Sequence, residues 1–367
     1  MLFLILFPFS TAESAKFDGS LLLADQVSSL AFNDSGDIIY IGDTEGNIKQ
    51  WDLSTGEIFT CVKSSTDDII FYNLIELSRD GIHALVGYSS GEIRYVDLNN
   101  GNDLWKKQFF DGDDALKAIA LSPDGGHGIA SDKTGRIVYF EVSDGKVIWN
   151  HDQGETVQSV AFSADSSLIF EAEGSRLRAE TLEGYLAPFD FEVPNSGYSS
   201  FSSIDVSDDN VVVGEHYDAL HLYDGNSGKR LRIVDFKETP TNGKVAISRN
   251  GKFILAQADK GRVSLFDVRT GKSLGMAQAI ASSIDALAIS HDGSRFAMAD
   301  HDGRVSLWRK GPKQIAGARI WDEGYIVYTP NGDFIAEPGN YSDSLGDLDV
   351  RLSDMKPDKI KLALSRR

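Results

Sequence analysis

The chain has 367 residues, 41% of them hydrophobic and 25% charged, with a formal net charge of −19. That length can bury the core of one large all-β domain. A field of that sign repels phosphate, which argues against nucleic acid and against a broad electrostatic hold on anionic lipid, and favours basic or neutral partners. The single cysteine, Cys61, excludes an intrachain disulfide.

Met1 to Phe9 is an uncharged apolar run followed by Ser10-Thr11-Ala12-Glu13-Ser14-Ala15. Nine residues are too few to span a bilayer. The pattern reads as a signal peptide over 1–14, cut after Ala12 or Ser14, against the alternative of a buried N-terminal strand. It implies export, periplasmic or secreted in a bacterium, with no stable membrane insertion after cleavage.

From Leu30 onwards one unit recurs seven times. Each copy opens on an apolar triplet: Leu30-Ala31-Phe32, Ile75-Glu76-Leu77, Ile119-Ala120-Leu121, Val160-Ala161-Phe162, Ile204-Asp205-Val206, Val245-Ala246-Ile247 and Leu287-Ala288-Ile289. Alternation with period two marks a strand. A small middle residue suits the innermost strand of a blade, where sheets converge. Glu76 and Asp205 depart from this. They are expected to face a water-filled axial channel or to accept from a backbone N–H, because an unpaired buried charge is costly.

A Ser-x-Asp-Gly-like turn follows each triplet, clearest in Ser122-Pro123-Asp124-Gly125, and these turns recur every 41–45 residues. A third strand in each copy ends at Trp51-Asp52, Val96-Asp97, Phe140-Glu141, Glu180-Thr181, Tyr223-Asp224, Phe266-Asp267 and Trp308-Arg309. The bulky residue is expected between neighbouring blades. Glu180 breaks the rule, so the fourth blade is expected to be the least regular. Leu186 to Tyr198, with Pro188 and Pro194, reads as a long inter-blade loop. A period of 40–45 residues with four short strands per unit specifies an all-β fold, a β-propeller of four-stranded blades. Seven blades fit the count and eight remain open.

These turns and aromatic-Asp strand ends, over about residues 27–310, resemble the WD-repeat propeller family. The Gly-His pair that opens that family's repeats is missing, so its Asp-His-Ser/Thr-Trp network is expected to be incomplete. The resemblance implies a rigid interaction platform, usually without catalysis. A second resemblance rests on Asp97–Trp105 and Glu141–Trp149, each an acidic residue with Gly four on and Trp four beyond. It looks like the quinoprotein-type repeat and its non-catalytic outer-membrane assembly relatives.

An open sheet edge invites further pairing; the resemblance implies an N-terminal strand that completes the last blade, and Phe17 to Leu23 is placed to do this. Tyr325 to Ala336 reads as another strand–turn–strand, either a degenerate eighth blade or an appended hairpin. The expected organisation is a propeller over 15–316 and a C-terminal extension over 317–367, ending in a short basic helix from Pro357 to Arg367.

Candidate chemistry is sparse. Gly87-Tyr88-Ser89-Ser90-Gly91 fits a nucleophile elbow, but it aligns with a plain strand-to-strand turn. Gly125-Gly126-His127-Gly128 has no following helix to bind phosphate. Asp111-Gly112-Asp113-Asp114 lacks the rest of a calcium loop. The seven histidines show no metal-ligand spacing, and none falls in an inner-strand triplet. No catalytic residue, cofactor or metal is therefore assigned. The reading is an exported, non-enzymatic propeller that binds a protein partner. Its candidate contacts, in turns before the third strand, are Tyr88, Lys133, Tyr217, Lys260 and His301. Two alternatives stay open. One is a quinoprotein-type or metal-dependent enzyme with a polar axial pocket. The other is a subunit of an envelope assembly complex that makes contact through its C-terminal tail.

Overall fold

Each copy of the repeat becomes an antiparallel meander in which strand order in the sheet follows strand order in the chain. Blade 1, for instance, runs Val27–Phe32, Ile38–Asp43, Ile48–Asp52 and Ile58–Val62. The structure, a computed structural model, describes residues 27–64, 72–112, 116–174, 176–187, 191, 200–208, 210–215, 219–235, 243–258, 260–279, 283–301, 303–310, 313–321, 324–328 and 334–337, the last three as backbone only. The predicted signal segment, Phe17–Leu23 and the predicted C-terminal helix lie outside these residues.

Seven sheets stand around one axis as a β-propeller. The first strand of each blade is innermost and meets the first strands of its neighbours. Hydrophobic clusters fill the spaces between blades. Phe170, Ala172 and Leu177 of blade 4 pack against Phe201, Val211 and Tyr223 of blade 5. Blade 7 packs directly on blade 1, with Ala286, Ala288 and Leu307 against Val27, Ile39 and Trp51. Arg295 also donates to the Gly36 carbonyl at 2.7 Å across this closure.

Two blades depart from four strands. Blade 4 has three among the described residues, Val157–Phe162, Leu168–Glu173 and Arg176–Thr181, and beyond them one bridge between Glu180 and Leu186. This is the blade in which Glu180 takes the place of the inter-blade aromatic, and its irregularity follows the sequence. Blade 7 continues past its fourth strand, Lys313–Trp321, through Gly324–Tyr328 and Phe334–Glu337 to make a sheet of six. The terminal strand–turn–strand is thus an extension of blade 7 and not an eighth blade.

Phe17–Leu23, expected to complete the last blade, lies outside the described residues. The place beside Arg304–Arg309 is filled by Lys313–Trp321, which runs across the anticipated boundary at 316. A strand that follows its partner after three residues closes a very short loop, so pairing costs little chain entropy.

The repeated turns explain their own sequence. Ser122 donates to Asp124 Oδ1 at 2.5 Å and accepts from the His127 N–H at 2.9 Å. Asp124 Oδ1 in turn accepts from the Gly126 N–H at 2.9 Å. The same Ser–Asp pairs recur at Ser78/Asp80, Ser163/Asp165 and Ser290/Asp292. The two tryptophans of the quinoprotein-type repeats tie blades together. Trp105 Nε1 donates to the Val142 carbonyl at 2.6 Å, and Trp149 Nε1 to the Leu182 carbonyl at 2.8 Å.

Two described turn residues, Ser166 and Lys260, sit in the left-handed region without being glycine. Ser166 has φ 61° where Gly125 has φ 75°. A side chain there is strained, but the Ser166 hydroxyl accepts the Asp124 N–H at 3.1 Å and links blades 3 and 4. Ser166→Ala keeps the strain and loses the bond, so it is expected to lower stability by about 1–2 kcal/mol. Ser166→Gly loses the bond but relieves the strain and is expected to stay within about 0.5 kcal/mol of the parent. Denaturant melts of the two variants check this ordering, and equal losses would contradict it.

Candidate functional site

The inner strands do not fill the axis. They leave a cavity of about 260 Å³ lined by the first strands and first turns of blades 1 to 5, with Arg249 from blade 6. Phe32, Leu77, Leu121 and Val206, half-buried last residues of their triplets, form an apolar collar around it, with Phe162 buried behind them in the core between blades 3 and 4. One residue deeper, about 3.3 Å further along each strand, lie Glu76, Ala120, Ala161 and Asp205.

Both carboxyls behave as their position dictates. Asp205 accepts the Ile247 N–H of blade 6 at 2.7 Å through Oδ2, and the Val206 N–H at 2.8 Å through Oδ1. Glu76, half-buried, has no hydrogen-bond partner among the described residues and faces the cavity. Burial pushes the Glu76 carboxyl up to about 8, and the charge of Asp205 adds to the shift. Burial also raises Asp205, to about 6, against the pull of its two amide donors. The mouth carries Asp34, Arg79, Asp208 and Arg249. Arg249 pairs with Asp34 at 2.7 Å, and His291 Nδ1 lies 3.3 Å from the same oxygen.

This cavity opens on the face of the first turns. The contacts picked from sequence occupy turns at the opposite ends of the strands. Lys133 and Lys260 are exposed there, Lys260 with φ 55°. His301 is exposed, with Nδ1 3.0 Å from Asp285 Oδ2. These three belong to blades 3, 6 and 7 and share a face without forming one pocket. Tyr217 lies outside the described residues.

Tyr88 requires a correction, because it is fully buried. As the last residue of a second strand it packs with Tyr40 and Ile48 between blades 1 and 2. Its ring lies under the Arg94 guanidinium at 4.9 Å, and its hydroxyl donates to the Gly46 carbonyl at 3.3 Å. Ser89, the centre of the apparent nucleophile elbow, is also buried in a strand-to-strand turn.

A second acidic group went largely unread in the sequence. Glu171, Glu173 and Glu180 are all buried on the face of blade 4 that meets blade 3. Only Glu180 had drawn attention. The available signal was that Glu171 stands where the other six blades carry Ile41, Val86, Ala130, Val213, Ala256 and Met298. Arg178 lies 3.3 Å from Glu173 and donates to Gln153 Oε1. The Gln153 amide donates to Glu171 at 3.2 Å and Glu180 at 3.4 Å. Burial pushes Glu171 up to about 8, with the charge of Glu180 adding.

A carboxyl whose pKa is higher folded than unfolded holds extra protons in the native state, so its contribution to stability falls as pH rises between the two values. For Glu171 that window runs from 4.5 to about 8. Glu171→Gln is therefore expected to melt higher than the parent at pH 9, with the difference closing towards pH 4. Thermal melts across that range test it, and a variant deficit that grows with pH would refute it.

A family model described as outer membrane protein assembly factor BamB matches residues 89–322. A second, described as WD domain, G-beta repeat, matches residues 14–52. No curated protein matches the chain.

Proposed function

Starting from a chain that belongs to the family described as outer membrane protein assembly factor BamB, we propose an exported, non-enzymatic propeller that serves an envelope assembly by binding another protein. The match over residues 89–322 carries this reading. The ring itself supports it. In blades 1, 2, 3, 5 and 6 the fourth strand turns apolar side chains outwards: Phe59, Leu104, Ile148, Leu231, Ile233 and Met276 are all exposed. Tyr185 and Leu186, beside the short blade 4, are 72% and 65% exposed. Apolar side chains on outer strands suit contact with a protein surface. The net charge favours a neutral or basic one. Lys133, Tyr217, Lys260 and His301 remain positional candidates on the second-turn face.

Export rests on the leader-like first residues. Among the described residues no helix is long and apolar enough to cross a membrane. The binding reading takes the axial cavity, with the carboxyls of Glu76 and Asp205 inside it, as a recognition site. Its volume of about 260 Å³ is below the range of roughly 300–1,000 Å³ common for cofactor and small-molecule sites.

Affinity capture of the tagged chain from its native envelope is expected to recover a protein partner in stoichiometric amount. Recovery of none counts against the reading. Deleting residues from Gly339 onwards separates ring from tail: binding that survives places the contact on the ring, and binding lost with an unchanged melt places it on the tail. A bound chromophore or a stoichiometric metal in the purified protein would replace this reading with an enzymatic one.

A further inference from the structure

We propose that the axial cavity receives one alkylammonium or guanidinium group, presented on the aliphatic stem of a Lys or Arg side chain of the partner. The partner half of this statement rests on the protein-binding reading above; the cation chemistry does not.

Three features of the cavity point to that ligand. Its wall and floor differ in kind. Phe32, Leu77, Leu121 and Val206 make an apolar collar, and the carboxyls of Glu76 and Asp205 lie one residue deeper, on blades 2 and 5. A long basic side chain has the same division, an apolar stem behind a charged head. Glu76 is also unanswered. Asp205 spends its two oxygens on the Ile247 and Val206 amides, but Glu76 has no hydrogen-bond partner among the described residues. A half-buried carboxyl gains most from a donor that brings positive charge.

The distribution of charge agrees. The lining holds Asp34, Glu76, Asp205 and Asp208 against Arg79 and Arg249. Both arginines belong to the first turns at the mouth, where Arg249 is already engaged by Asp34. The interior holds two acidic side chains, Glu76 and Asp205, and no basic one among the lining residues.

Size and donor set narrow the class. A volume of about 260 Å³ admits one unbranched side chain but is small for a drug-sized ligand. Among the described residues no three His, Cys, Asp or Glu side chains come together to hold a metal ion. An ammonium or guanidinium needs only one or two carboxylate acceptors.

The test uses the intact chain and needs no partner. Butylammonium and butylguanidinium are titrated by calorimetry or ligand-observed NMR, with butyramide as the neutral control. Saturable one-site binding of the cations is expected, at least about tenfold tighter than the control, as a charge-assisted hydrogen bond implies. Glu76→Gln should weaken it by about the same factor. That change removes no hydrogen bond of the fold. Asp205→Asn, which retains an acceptor for Ile247, should also weaken binding. Ala164→Trp, on a turn at the mouth, should obstruct entry with both carboxyls intact. Lys63→Ala, exposed just beyond the fourth strand of blade 1 on the opposite face, should change nothing.

Equal binding of cation and control, or undiminished binding by a folded Glu76→Gln, overturns the proposal. Acetyl-Gly-Lys-Gly-amide binding at least as tightly as butylammonium supports a polypeptide source. A free diamine binding more than about tenfold tighter than that peptide overturns the partner assignment. Partner capture that succeeds while cation binding fails leaves the protein-binding reading standing and removes only this one.

Discussion

Seven sheets converge on one axis, and how closely their inner strands can approach controls the rest of the molecule. Close approach demands small side chains, which is why five of the seven triplets centre on alanine: Ala31, Ala120, Ala161, Ala246 and Ala288. It also brings backbone amides of one blade within reach of polar side chains on the blade before. Ser28 Oγ accepts the Asn73 N–H at 3.1 Å, Ser159 Oγ the Ile204 N–H at 3.0 Å and Asp205 the Ile247 N–H at 2.7 Å. Polar groups buried between blades would otherwise weaken the ring. Asp205 therefore holds two blades together as well as facing the cavity.

The inner half of each blade was legible from the sequence because its residues are doubly constrained. Triplets must alternate, and the turns after them need Ser and Asp to satisfy their own amides, as Ser122 and Asp124 do. The outer half was less legible. Asp103–Gln108 and Val147–Asp152 are exposed along nearly their whole length, so little burial pattern is imposed on them. The fourth strand of blade 7 was less legible for a related reason. Lys313–Trp321 reads as a tail once the aromatic-Asp pattern has stopped, yet it lies beside Arg304–Arg309 by the shortest available path.

The site was legible in part. Glu76 and Asp205 stood out because they interrupt a run of alanines. Their depth beneath the collar needed the structure. Tyr88 misled because its turn aligns with exposed turns in other blades. The tyrosine closes the second strand, and its ring turns inward onto Arg94. Position within a repeat identifies the backbone environment well. The direction of a large side chain at a strand end depends on the neighbouring blade, which the repeat alone does not report.

The two acidic departures have opposite consequences although the residue types are the same. Glu171, Glu173 and Glu180 are sealed between blades 3 and 4, where Arg178 and Gln153 supply what compensation they have. Buried charge of this kind costs desolvation that its partners only partly return. Glu76 and Asp205 stand where the ring leaves room, beneath an apolar collar, in a cavity that opens on the first-turn face. Solvent relieves part of their cost, and an incoming cation can relieve more. The sealed group is consistent with a structural irregularity of blade 4. In the axial pair the irregularity faces a cavity, and that access is what makes it a candidate for recognition.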